Sequence, residues 1–171
     1  MSAQSNSQMY EAVQHRSNIF GEGLISGLIG AAAVAAWFLV LDVYFGRPLF
    51  TPNILGTVLF EGGLDLASLD TIPISFETVF IFTWIHVLIF CVIGVVGAWL
   101  IQLAEKDPNY GFGVILFCVV LEFGFIGASM IFALSILHAL TLPAILIGNL
   151  IAIAAMGWYF RRLHPNLTFY P

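Results

Sequence analysis

Charge is what this sequence has least of. Asp, Glu, Lys and Arg together make up 9% of its 171 residues, against 60% hydrophobic ones, and the mean hydropathy is +1.00. A soluble domain carries about a quarter charged residues, and a chain this poor in them cannot keep its surface in water. Basic residues are scarcest: five bases face ten acids for a net charge of -5, and no basic block exists that could track a nucleic-acid backbone. Nucleic acid is excluded as a partner. The two cysteines, Cys91 and Cys118, fall inside apolar runs without C-x-x-C spacing and read as small buried hydrophobes.

Catalytic patterns are missing as well. There is no H-E-x-x-H, no G-x-S-x-G, no phosphate-binding glycine loop, and no Ser-Lys or Cys-His pair placed for nucleophilic work. The four histidines, His15, His86, His138 and His164, are too dispersed to make a metal site by spacing. No metal or cofactor is expected. The first twenty residues are polar and precede the first apolar run rather than containing one, so no cleavable signal peptide is expected.

What the sequence does contain is apolar runs, each reaching the roughly 20 residues that span about 30 Å of hydrocarbon. They predict an all-α membrane protein forming one transmembrane domain over 1–171, a compact four-helix bundle with spans at about 21–45, 75–103, 109–137 and 142–162. A polar tail, 1–20, precedes the first span, where Ser17 or Asn18 is placed to cap the helix. Gly46 and Pro48 punctuate its far end. Segment 47–74 is expected outside the cytoplasm, with a short interfacial helix opening at Thr51-Pro52 and turning Ile54, Leu55, Val58 and Leu59 to one face. Ser75 is placed to cap the second span, and the short break at Asp107-Pro108 makes spans two and three an antiparallel hairpin. A second hairpin follows through 138–142.

In this arrangement Arg16, Lys106, Arg161 and Arg162 share one side, against Arg47 alone on the other. By the positive-inside rule both termini are expected in the cytoplasm, with the chain integral to the plasma (bacterial inner) membrane. Trp99, Trp158 and Tyr159 then fall near the inner boundary and Tyr44 near the outer one, as aromatic belts require. The Asn166-Leu167-Thr168 sequon lies on the cytoplasmic side and reads as coincidental.

Lipid tails give helices no hydrophobic reason to associate, so packing depends on small residues that let backbones approach. Gly23, Gly27, Ala31 and Ala35 form such a ladder on span one, with Gly94 and Ala98, Gly124 and Ala128, and Gly148 and Ala152 on the others.

Ionisable groups within hydrocarbon are costly and count as candidate functional residues. Glu122 falls within about 2 Å of the midplane of span three, Asn149 at nearly the same depth on span four, and His86 roughly 5 Å outward on span two. Cys118, Glu122 and Ser129 share one side of span three. Two readings follow: a proton relay through Glu122 and His86, or interhelical polar contacts in which Glu122 bonds to Asn149 or a backbone carbonyl and His86 is structural. Haem clamped between His86 and His138 is disfavoured by roughly 15 Å of separation in depth. A singly ligated haem or chlorophyll at His86 is disfavoured by Phe82 and Phe90, four residues to either side. Asp42, about 13 Å from the centre of span one, is expected to reach water or pair with Arg47.

The expected function is that of a non-catalytic accessory or structural subunit of a larger respiratory or photosynthetic membrane complex, its partners being lipid and other membrane subunits or further copies of itself. The alternative is a small proton-coupled carrier or channel using Glu122 and His86. An enzyme acting on a quinone or lipid between helices, with one of those two groups as acid-base, ranks behind both.

Overall fold

The structure, a computed structural model, describes residues 2–61, 72–132 and 142–165. Every regular element among them is helical: α1 (Ser2–Tyr44), α2 (Phe50–Glu61), α3 (Phe76–Lys106), a 3-10 turn (Pro108–Tyr110), α4 (Gly111–Phe132) and α5 (Leu142–Leu163). Three stretches are long and apolar enough to cross a membrane: Ile19–Tyr44 with 26 residues, Phe76–Lys106 with 31 and Leu142–Leu163 with 22. The described part of α4 adds a shorter apolar stretch. The far part of the expected third span, His138, the acidic stretch through Asp65 and Asp70, and the Asn166 sequon lie outside the described residues.

Local chemistry sets most helix ends. Ser75 is extended (φ -99°, ψ 112°) and its hydroxyl accepts from the Thr78 amide at 3.2 Å, while Glu77 adds a negative charge to the first turn of α3. Asp107 closes α3 by donating its amide to the Leu103 carbonyl, and its carboxylate accepts from the Asn109 amide at 3.0 Å to open the following turn. After α1, Gly46 takes the left-handed conformation (φ 71°) that glycine adopts without steric cost. Leu49 also stands there (φ 65°) despite its side chain.

Two expectations about helices are corrected. No cap interrupts the chain at Ser17 or Asn18; α1 runs unbroken from Ser2, because residues 2–18 contain neither proline nor glycine and the preceding turns supply the backbone partners a cap would replace. On α2, the residues expected to share one face differ in surroundings: Ile54 and Val58 are buried, but Leu59 is 54% exposed. The inward face instead carries Thr51, Asn53, Gly56 and Thr57, since those small and polar residues find partners at the ends of α1 and α3.

Helix α1 is the hub, packed along α3 on one side and α5 on the other. Its contact with α3 is backbone on backbone. A Cβ added to Gly23 would stand 2.5 Å from the Val95 Cα, one added to Gly27 would meet the main chain of Phe90 and Cys91, and one added to Gly94 would meet Gly23 and Gly27. Gly148 of α5 receives the edge of Trp37, whose Nε1 donates to the Ala144 carbonyl at 2.8 Å. Gly124 does not belong to this set: it faces outward, with nothing within 4 Å of where its Cβ would be. Helix α4 touches α3 and α5 only lightly among the described residues, and Gly113, Gly124 and Gly127 have no neighbouring backbone to admit.

Substituting valine for Gly94 forces α1 and α3 apart, and thermal unfolding in mild detergent is expected to show a loss of about 1–3 kcal/mol or more. The Gly124→Ala protein, measured in parallel, is expected to be neutral or slightly more stable, since it adds helix propensity without a clash.

Candidate functional site

Polar side chains in an apolar bundle mark where chemistry or specific packing resides, and here they form three groups along the helix axes. The first joins the end of α1 to α2. Asp42 is only 6% exposed, and its carboxylate accepts from the Thr51 amide at 2.8 Å and the Thr51 hydroxyl at 2.7 Å. A carboxylate at the first turn of α2 satisfies an amide with no partner inside its own helix and lies at the positive end of the helix dipole. Asp42 is therefore a cap for α2 turned away from water, and of the two expectations from sequence, reaching water or pairing with Arg47, only the attraction to Arg47 is present. Arg47 also sits over the Phe50 ring, 4.0 Å from its centroid.

Asn53 continues this group. Only 1% exposed, it accepts from the Ser75 amide at 2.9 Å and donates to the Pro73 carbonyl at 3.3 Å, fastening α2 to the entry of α3. The Thr57 hydroxyl donates to the Asn53 carbonyl one turn back. No local pattern announced Asn53 or the bond from Thr51 to Asp42; the partners lie 22 and 9 residues away.

The second group lies mid-helix. His86 faces α1, where its Nε2 donates to the Ala31 carbonyl at 3.3 Å; a carbonyl only accepts, so Nε2 carries the hydrogen. Its ring is held between Phe82 and Phe90, at centroid distances of 6.1 and 4.8 Å. Asn149 does reach α4, but its amide donates at 3.4 Å to the main-chain carbonyl of Glu122, not to the carboxyl group. Both Glu122 carboxyl oxygens are shielded from solvent and have no hydrogen-bond partner among the described residues. This corrects the expected bond from that carboxyl to Asn149 or a backbone carbonyl. His86 and Glu122 thus sit at different helix contacts, and no described hydrogen bond joins them. Ser26, fully buried on α1, likewise has an unpartnered hydroxyl.

The third group lies at the opposite end from Asp42. His164, just beyond α5, contacts Glu105 of α3 through Nδ1 at 2.6 Å and Glu22 of α1 through Nε2 at 3.2 Å. Sequence reasoning missed this cluster, whose members are 59 and 142 residues apart. Close by, Arg162 lies over Trp158 at 4.1 Å, and an open apolar groove of about 390 Å³ runs between α1 and α3, lined by Ile19, Phe20, Val95, Val96 and Trp99.

Among the described residues no group of three His, Cys, Asp or Glu side chains has metal-binding geometry. The build is that of an all-helical membrane protein: long apolar helices, outward-facing Phe, Leu, Ile and Val, and polar groups turned to helix contacts. The chain matches no protein-family model, and neither a curated protein nor a solved structure is significantly similar to it.

Replacing Asp42 by leucine strands two donors of Thr51 inside the fold, and equilibrium or thermal unfolding is expected to register a loss of about 1–3 kcal/mol. Ser26→Ala removes a hydroxyl that bonds to nothing and is expected to leave stability unchanged or raised.

Proposed function

We propose that this chain is a non-catalytic membrane subunit, with four spans and both termini in the cytoplasm, whose role is to pack against the helices of a larger membrane complex. The observation that carries this reading is how its intramembrane polar groups are spent. Asp42, His86 and Asn149 each bond to a neighbouring helix, and they lie on separate contacts rather than along one path. Such groups hold helices together and leave little for transport or catalysis.

Two further features support the proposal. Glu105 and His164 bring the ends of α3 and α5 to one side, while α5, 22 residues and about 33 Å long, begins near the other. A fourth span through α4 would carry the chain back across that thickness between Lys106 and Leu142, which supports the four-span reading. That helix, loosely held by the others, presents Phe112, Ile115, Leu116, Val119, Val120 and Phe123 outward. A face of this kind suits other membrane helices, with lipid as the alternative occupant. Solubilisation in mild detergent followed by mass spectrometry of the purified particle is expected to show stoichiometric membrane partners; a homogeneous particle of this chain alone would overturn the proposal.

One observation favours the second reading, a proton-coupled carrier. The unpartnered Glu122 carboxyl can exchange a proton without first breaking a hydrogen bond. Under the subunit reading, proton flux into vesicles carrying the protein is expected to be at background level, and equal for wild type and Glu122→Gln. A flux above background that Glu122→Gln abolishes would replace the subunit reading with the carrier one.

A further inference from the structure

The cluster at the α5 end has a property that its distances fix. Both ring nitrogens of His164 face carboxylate oxygens, Glu105 Oε1 at 2.6 Å and Glu22 Oε2 at 3.2 Å. Ionised carboxylates only accept hydrogen bonds, and a neutral imidazole has a single N–H. A neutral ring satisfies one glutamate and turns a lone pair toward the other, whereas the imidazolium donates to both and offsets their charges. The two glutamates also approach from opposite sides of the ring. One metal ion cannot be ligated by the imidazole and by both of them, so the arrangement suits a proton and not a metal.

We propose that His164 is a proton-operated clasp joining the ends of α1, α3 and α5, closed when the ring is protonated and released when it is neutral. The parts are placed for it. The His164 amide donates to the Phe160 carbonyl at 2.8 Å, which continues the last turn of α5 and aims the ring inward, where its side chain is 14% exposed. Glu22 lies four residues into the apolar stretch that starts at Ile19, and Glu105 closes α3 beside Lys106. Near this end among the described residues, the other titratable or charged groups are Lys106, Asp107 and Tyr110 after or at the end of α3, and Tyr159, Arg161 and Arg162 on α5. Tyr159 interacts electrostatically with Glu22, and Arg162 is engaged over Trp158. Among the described residues, His164 is the side chain that contacts both carboxylates.

The sign of the effect follows from proton linkage. Only the doubly protonated ring donates to both glutamates, so the clasp is complete at low pH and loses a donor as pH rises. Thermal unfolding of the full chain in mild detergent, from about pH 5 to about pH 8.5, tests this across the range where histidine titrates. The wild type is expected to melt several degrees lower at the alkaline end. His164→Gln is expected to lose most of that difference by melting low throughout, and His164→Lys, whose ammonium can donate to both glutamates at every pH tested, to lose it by melting high throughout. An alkaline drop in His164→Gln as large as that of wild type would overturn the proposal. Should neither variant be purified folded, nitrogen-15 spectra of the imidazoles in the wild type decide: His164 must be doubly protonated at the acidic end, and a neutral tautomer there also overturns it.

Discussion

The backbone contact between α1 and α3 is the constraint on which the rest of the structure depends. In hydrocarbon the helices gain nothing by hiding leucine from lipid, so association rests on dispersion between closely fitted surfaces. Gly23, Gly27 and Gly94 remove the three side chains that would hold the main chains apart, and any Cβ there would overlap backbone, which cannot give way. Once α1 and α3 touch along this line, Ala31 is brought under His86 and Glu22 comes level with Glu105. The polar contacts are downstream of the glycines.

Glycine contact leaves two helices free to slide or pivot, and the ends of the bundle counter that. At one end Asp42 and Asn53 tie α2 to the exit of α1 and the entry of α3, spending strong hydrogen bonds where the backbone would otherwise expose unsatisfied amides. At the other end Glu22, Glu105 and His164 join three helices through one ring. The two ends differ in kind. Asp42 and Asn53 bond chiefly to backbone and hydroxyl groups that do not titrate, while the His164 cluster consists wholly of groups that do.

What was legible in the sequence is what local physics decides. Three of the four apolar runs of spanning length, the Ser75 cap, the Gly46 stop and the break at Asp107-Pro108 each follow from nearby residues, and each stands in the structure. The glycine ladder was visible too, but not which of its rungs meet a neighbour: Gly94 and Gly124 look alike in sequence, and only the nearness of α1 separates them. Contacts such as Thr51 with Asp42 or His164 with Glu22 were illegible because nothing at either residue names the other. Apolar periodicity also misled on α2, where it grouped Leu59 on one face with Ile54 and Val58; burial there follows the partners available to Thr51 and Asn53 rather than hydrophobicity.

An outward apolar face needs no explanation in lipid, so the features that require one are the polar atoms left without partners. Among the described side chains these are the Ser26 hydroxyl and the two Glu122 carboxyl oxygens. The two cases are not equal. A hydroxyl in an α-helix sacrifices at most a modest hydrogen bond and is small enough to serve as packing, which suffices for Ser26 beside the glycine line. A carboxyl group at mid-bundle costs far more, and Asn149, the side chain that reaches its residue, spends its amide on the backbone instead. Packing alone therefore accounts for every intramembrane polar group described except Glu122. That residue is where a helix from another subunit, supplying the missing donor, or a proton, taken up to neutralise it, has most to contribute.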